Sequence, residues 1–215
     1  MALMGNALID DDYFENLWDG GTIGEDKLHE NINAVSALFE MFCNRPLKER
    51  SYTYLESEED LETGVYYVSK YTVFDGPNGN TLWLPTYPID SISHLEISGV
   101  EVSEMTGYEA DTGYALYRDT GRMVYEYHWD YPYRQNVKIK WKGGYPEGSS
   151  EYVYLQYLCF LAIKDCLNAP KNLNFSEERI GKYSYKLASE DFTRFMGLNS
   201  KVFNDLGRYR KEAFA

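Results

Sequence analysis

The first regular pattern in the chain is a single apolar stripe with helical spacing. Between Glu25 and Asn44 the apolar residues recur at alternating intervals of four and three, which places them on one face of an α-helix. Thr22 and Glu25 are spaced as a capping box at its start, and Pro46 disfavours helix at Arg45. We therefore predict an amphipathic helix whose buried face contains Leu28, Ile32, Val35, Phe39 and Phe42.

From residue 51 to residue 142 the apolar period changes to two, which is typical of strands with one buried face. The clearest case is 137–142, where Val137, Ile139 and Trp141 alternate with three lysines that we interpret as a solvated face. Ser98-Gly99 is spaced as a two-residue hairpin and 119–121 as a longer one. The other predicted strands cover 51–55, 65–71, 81–84, 91–97, 114–117 and 122–127.

Two further helices follow the strands. A helix is predicted from Ser149 or Ser150 to Asn168, apolar almost all round because only Gln156 is strongly polar between residues 152 and 163, so we expect protein on all its sides. A long polar loop over 171–187 separates it from a third helix that begins near Ser189.

This order predicts an α+β fold, with an antiparallel β lobe inserted between the first and second of three main helices. The predicted divisions are 1–48 for an N-terminal tail and the first helix, 49–145 for the β lobe, and 146–215 for the rest of the helical domain and a C-terminal tail.

The net charge of the chain limits what it is expected to bind. The 215 residues carry 34 acidic and 21 basic side chains, a net charge of −13, which argues against a chain that grips phosphate backbones. No stretch reaches the length of a membrane span, and we expect a mobile acidic start over 1–12 and no signal peptide. Three cysteines without a Cys-x-x-Cys pair favour free thiols in a reducing compartment.

The residues provide no catalytic constellation, so we predict no enzyme, no cofactor and no metal. His29, His94 and His128 lack metal-ligand spacing, and Gly143-Gly144 lacks the residues that a phosphate-binding loop needs. The run of Asp10, Asp11 and Asp12 could bind a hard cation, but it is more typical of a solvated tail. The 21 tyrosines are interpreted as sheet packing, with stacking platforms for sugars or nucleobases as the alternative.

Four segments of the sequence resemble the head-tail connector, or adaptor, family of tailed double-stranded DNA phages. Their order and spacing match the family over a range from Ile32 to about Ser184, which includes most of the chain. The four segments are Ile32-Asn33-Ala34 running to Cys43-Asn44-Arg45-Pro46, then Leu82-Trp83-Leu84-Pro85 with Tyr87-Pro88-Ile89 and Ser91-Ile92, then 137–141 with Gly143-Gly144-Tyr145-Pro146, and finally Arg179-Ile180-Gly181 with Tyr183-Ser184.

The resemblance implies a virion protein of the neck, assembled in the host cytoplasm. Its expected partners are the portal protein, neighbouring copies in a ring that is expected to be a dodecamer, a tail-completion or stopper protein, and double-stranded DNA that passes through the ring without sequence-specific binding.

The same resemblance, together with the residue types, assigns two candidate contact sites. A C-terminus that folding alone would leave frayed is expected to bind the portal through Leu206, Arg208, Tyr209, Arg210, Lys211 and Phe214. The contact between neighbouring subunits is expected at Arg179, Ile180, Gly181, Lys182 and Tyr183. The alternatives are a carbohydrate- or receptor-binding β module of a phage tail and an uncharacterised hydrolase.

Overall fold

The protein has an α+β fold, as predicted, in a computed structural model that describes residues 2–54, 65–67, 72–77, 79–105, 113–125, 135–168 and 200–211. The chain divides into two compact units. Unit 1 contains Met1–Arg45 and Ser150–Ala215, and unit 2 contains Pro46–Ser149.

Unit 1 contains the helices. Within the described residues they number four, not three: α1 (Asp11–Leu17), α2 (Glu25–Cys43), α3 (Ser150–Asn168) and α4 (Ser200–Leu206), followed by a 3-10 turn (Gly207–Tyr209). The predicted first and second helices, α2 and α3, are confirmed. The predicted start of the third helix at Ser189 and the loop over 171–187 lie outside the described residues.

The start of the chain packs into unit 1, so the prediction of a mobile, solvated acidic tail is wrong. Leu8 and Ile9 are buried, and the Leu8 amide donates to the Ser36 hydroxyl over 3.0 Å. Asp10 caps α1, because its carboxylate accepts a hydrogen bond from the Tyr13 amide over 2.8 Å. A short helix therefore replaces the predicted tail.

The cap at the start of α2 also differs from the prediction. The N-cap residue is Gly24, without a side-chain hydrogen bond, so Thr22 and Glu25 do not form the expected capping box. Glu25 and Asp26 instead stand in the first turn, where a carboxylate interacts favourably with the helix dipole. No helix in the described part of the chain is both long and apolar enough to cross a membrane.

Unit 2 contains two sheets that share one core. A six-stranded sheet has the order β2-β1-β9-β5-β6, with β3 also paired to β9, and a three-stranded sheet has the order β4-β8-β7. Their pairing is antiparallel except between β1 and β2. The strands are β1 (Arg50–Thr53), β2 (Val65–Tyr67), β3 (Val73–Phe74), β4 (Thr81–Trp83), β5 (Ile89–Ile97), β6 (Val100–Glu101), β7 (Tyr114–Tyr117), β8 (Arg122–Tyr125) and β9 (Val137–Gly143).

The predicted faces of β9 are confirmed by burial. Val137, Ile139 and Trp141 are buried, and the lysines between them are partly exposed. The Trp141 ring stacks on Tyr52 of β1 with centroids 4.4 Å apart. Because β9 pairs with β1, β3 and β5, it organises the core of unit 2.

Both predicted hairpins are also present. Ser98 and Gly99 join β5 to β6 with positive φ angles of 52° and 83°, the combination that a two-residue hairpin requires. The turn after Tyr117 leads into β8 through Gly121, whose φ is 69°.

The glycine pair before α3 has a structural role at the place where the two ends of unit 2 meet. The Tyr145 amide donates to the Leu47 carbonyl over 2.8 Å, and the Glu49 amide donates to the Tyr145 carbonyl over 3.1 Å. Gly144 has a φ of 111°, and a Cβ there would lie 2.5 Å from the Lys48 carbonyl oxygen. Only glycine permits both this backbone conformation and this close approach.

We predict that Gly144→Ala lowers the free energy of unfolding by about 1–3 kcal/mol, because the substitution combines backbone strain with a backbone clash. Gly148→Ala is the control, since Gly148 also has a positive φ, of 84°, but has nothing within 4 Å of its Cβ position. Urea denaturation of both variants measures the difference. Equal losses of stability would show that the close approach to Lys48 is unimportant.

Candidate functional site

The C-terminal segment is fixed against the end of α2. The Arg45 Nε donates to the Tyr209 carbonyl over 2.7 Å, and the Lys211 amide donates to the Cys43 carbonyl over 2.9 Å. The Cys43 thiol also contacts the Leu206 carbonyl at 3.8 Å. Three contacts in succession therefore hold the last described residues to one helix end.

The local sequence explains why Arg45 reaches this position. Asn44 ends α2 in the left-handed conformation, with a φ of 53°, which asparagine tolerates better than most residues. The Asn44 amide then donates to the Met41 carbonyl and the Arg45 amide to the Glu40 carbonyl, which is the hydrogen-bond pattern of a Schellman motif. Arg45 is 4% exposed, so its guanidinium depends on acceptors inside unit 1.

Cationic side chains project from this fixed segment. The Arg208 guanidinium lies 4.5 Å from the centroid of the Tyr154 ring, and the Arg210 guanidinium lies 5.7 Å from that of Phe42. Burial, and then the charge of Arg45, lower the pKa of Lys211. We call Arg208, Arg210 and Lys211 the C-terminal cationic surface; it stands out in a chain whose net charge is −13.

The structure separates the predicted portal-binding residues into two groups. Leu206 and Tyr209 are buried in unit 1, at 0% and 4% exposure, whereas Arg208 and Arg210 are exposed. The expectation of a frayed terminus is thus wrong as far as Lys211, which is partly buried. Phe214 and the predicted subunit-contact residues Arg179, Ile180, Gly181, Lys182 and Tyr183 lie outside the described residues.

The lysine row of β9 is compensated by carboxylates. Lys138 lies 3.2 Å from a Glu96 oxygen and Lys142 lies 2.8 Å from a Glu49 oxygen. The Lys140 ammonium lies 5.0 Å from the centroid of the Tyr54 ring. This ladder of paired charges agrees with the interpretation of the row as a solvated sheet face.

The cysteines are free, as predicted, and two of them are buried thiols of low reactivity. Burial raises the pKa of Cys43 to about 12 and that of Cys159 to about 12. A thiol with such a pKa remains protonated near neutral pH and is a poor nucleophile.

One group of side chains could hold a divalent cation. The donor atoms of Asp11, Glu25 and His29 lie within 4.8 Å of one another. His29 is buried, and its Nε2 is 2.6 Å from Asp11 Oδ2, so two of the three donors already make a hydrogen bond. Because Glu25 is exposed and His29 already bonds to the half-buried Asp11, this geometry favours a hydrogen-bonded pair that joins α1 to α2 over a closed metal site.

No family model and no curated protein matches the sequence. Solved structures do match over the full chain. A chain from the neck of an empty gene transfer agent (GTA) particle, computed with C6 symmetry, has 17% identity and a TM-score of 0.50, with coverage of 100% of this chain and 95% of that one. A chain from the virion of a native gene transfer agent particle has 16% identity and a TM-score of 0.49, with coverage of 100% and 95%.

This chain therefore shares the fold of a neck chain. The likeness extends over both units, because all of this chain is covered. The resemblance to the head-tail connector family, which rested on four short segments of sequence, is thereby confirmed at the level of the fold.

We predict that Arg45→Ala lowers the free energy of unfolding by about 1–3 kcal/mol, because it leaves the buried Tyr209 carbonyl without this donor. Arg208→Ala, at an exposed position where a contact with the Tyr154 ring is lost, should cost less, at most about 1 kcal/mol. Chemical denaturation measures both. An Arg45 variant as stable as the Arg208 variant would mean that the terminus is held by other contacts.

We also predict that chelator and added Zn²⁺ each leave the melting temperature unchanged, because the Asp11–His29 hydrogen bond already engages two of the three donors and the third, Glu25, is exposed. A metal that binds only the folded state must raise the melting temperature. A rise of several degrees with Zn²⁺ in the native protein, lost in His29→Ala, would identify the cluster as a metal site.

Proposed function

We propose that this chain is a structural subunit of the neck of a tailed phage or a phage-like particle. Copies of it form a ring between the portal and the tail, and DNA passes through that ring. The observation that carries the proposal is the fold that this chain shares, over its full length, with a neck chain of a gene transfer agent particle. The four connector-like segments of the sequence support the same role independently.

The distribution of charge supports a passage for DNA. A net charge of −13 disfavours tight binding of a phosphate backbone, and the most regular row of cations, on β9, is paired with carboxylates or packed beside a tyrosine. A channel built from such subunits guides DNA without retaining it.

We propose that the C-terminal cationic surface contacts the portal. Leu206 and Tyr209 serve this contact indirectly, because their burial fixes the segment that carries Arg208 and Arg210. Exposed arginines on a fixed backbone lose less conformational freedom on binding than arginines on a loose tail, and arginine is enriched at binding hot spots.

The tyrosines support the alternative, a carbohydrate- or receptor-binding β module, less than they support the packing of a sheet. Tyr52, Tyr54 and Tyr114 are buried in unit 2, so they are packing residues and not open platforms. Tyr117 is 50% exposed, but the Arg122 guanidinium lies 4.6 Å from the centroid of its ring.

The high pKa values of Cys43 and Cys159 likewise give no support to a thiol enzyme, in line with a non-enzymatic role.

The proposal predicts that particles assembled without this chain contain filled heads that fail to join tails, and that the native chain restores joining. The double variant Arg208→Glu with Arg210→Glu should remain folded but lose most portal binding in a pull-down and fail to restore joining. The control is Lys27→Glu with Lys201→Glu, which reverses two exposed charges of unit 1 outside this surface and should restore joining. Normal tailed particles without the chain would contradict the neck role, whereas normal joining by the Arg208/Arg210 variant would contradict only the docking surface.

A further inference from the structure

Part of an apolar stripe on α3 is exposed among the described residues of unit 1. The sequence predicts protein on all sides of this helix, yet Val153 is 48% exposed and Tyr157 is 45% exposed. Leu161, one turn further along, is half-buried. We call Val153, Tyr157 and Leu161 the ridge, because residues at intervals of four form one row along a helix.

A second exposed stripe, with smaller side chains, lies on α2. Ala34 and Ala37 are exposed, Met41 is 55% exposed, and Leu38 beside them is half-buried. Spacings of three and four place Ala34, Ala37 and Met41 in one row, which we call the flat stripe. The small alanine side chains let another helix approach closely.

The two stripes face away from each other. α2 meets α3 where the Ser36 hydroxyl lies 3.9 Å from the Cys159 thiol. With about 100° of rotation per residue, the flat stripe lies roughly 100–160° around α2 from Ser36, and the ridge lies roughly 120–160° around α3 from Cys159. The helix pair thus presents a bulky row on one side and a flat row on the other.

The two rows also match in length and in end charge. Glu30 extends the flat stripe eleven residues before Met41, and Lys164, which also contacts Asp19, extends the ridge eleven residues after Val153. Both rows are therefore about 16 Å long. In an antiparallel arrangement Val153 faces Met41, Tyr157 faces Ala37, and Lys164 faces Glu30, so that opposite charges meet.

We propose that the ridge of one copy docks into the flat stripe of the next copy, as the contact that builds the ring. This inference rests on the proposed function and names its self-assembly surface. Two different surfaces on one chain make a heterologous, head-to-tail contact, which allows each copy to bind a neighbour on both sides. If the ridge packed instead against the ridge of a second molecule, the product would be a two-fold dimer that could not grow further.

Tyr157→Glu and Ala37→Glu test the contact, because each blocks one stripe and leaves the other intact. At a concentration where the native chain assembles, each variant alone should remain at the 25.0 kDa of one chain in light scattering. Mixed together, they should form a one-to-one complex of twice that mass and nothing larger, since only one ridge and one flat stripe remain usable. Thr120→Glu, in an exposed turn of unit 2, is the control and should assemble normally.

A second pair of variants tests the register if a glutamate variant fails to fold. Val153→Cys mixed with Met41→Cys should give an intermolecular disulfide under mild oxidation, and Val153→Cys mixed with Asn204→Cys should not. A native chain that remains monomeric at high concentration, a mixture that stays monomeric, or an assembly that tolerates either glutamate would overturn the inference. If the mixture stays monomeric or the assembly tolerates either glutamate, the neck role would still stand, because it is tested on particles, and the subunits would meet at a different surface.

Discussion

The arrangement of unit 1 depends on one buried charge, the guanidinium of Arg45. A buried arginine that lacks hydrogen-bond acceptors would cost several kcal/mol, so the chain that supplies an acceptor is held in place by that requirement. One acceptor is the Tyr209 carbonyl, far along the sequence, and the bond joins the end of α2 to the C-terminal segment. Pro46 and the left-handed Asn44 set the direction in which Arg45 leaves the helix. The residues Cys43, Asn44 and Arg45, at the end of the first connector-like segment, thus have a physical function in this chain: they join α2 to the C-terminal segment of unit 1.

Regular periodicity made much of the fold predictable. The alternation along 137–142 and the helical stripe of α2 are long enough to identify each element and its buried face. The long apolar run of α3 identified the helix but not which of its faces is buried. Helix α1 was missed because a helix of seven residues has little periodicity, and three successive aspartates suggested a solvated tail. The signal that could have found it was Asp10 as an N-cap before Tyr13 and Phe14. The capping box at Thr22 was wrong because its spacing rule ignores Gly24, which takes the cap position.

The candidate site was predictable only in its charges. Local basicity indicated Arg208 and Arg210, and both are exposed. Aromatic and aliphatic residues near a terminus are ambiguous, because the same side chain serves as a hot-spot anchor or as core, according to whether another element covers it. Tyr209 is covered, and its partner Arg45 is too distant in sequence for any local pattern to reveal the contact. Similarly, the composition of α3 could not distinguish a helix enclosed by its own chain from one that leaves Val153 and Tyr157 for a neighbour.

A cryo-EM reconstruction of the neck of the particle that contains this chain tests the account most directly. The account predicts a closed ring of copies between the portal and the tail, in which the density of each copy accommodates both units and the described C-terminal residues face the portal. A neck in which no density fits this fold, or in which the chain occupies the tail tip or the capsid surface, would contradict it.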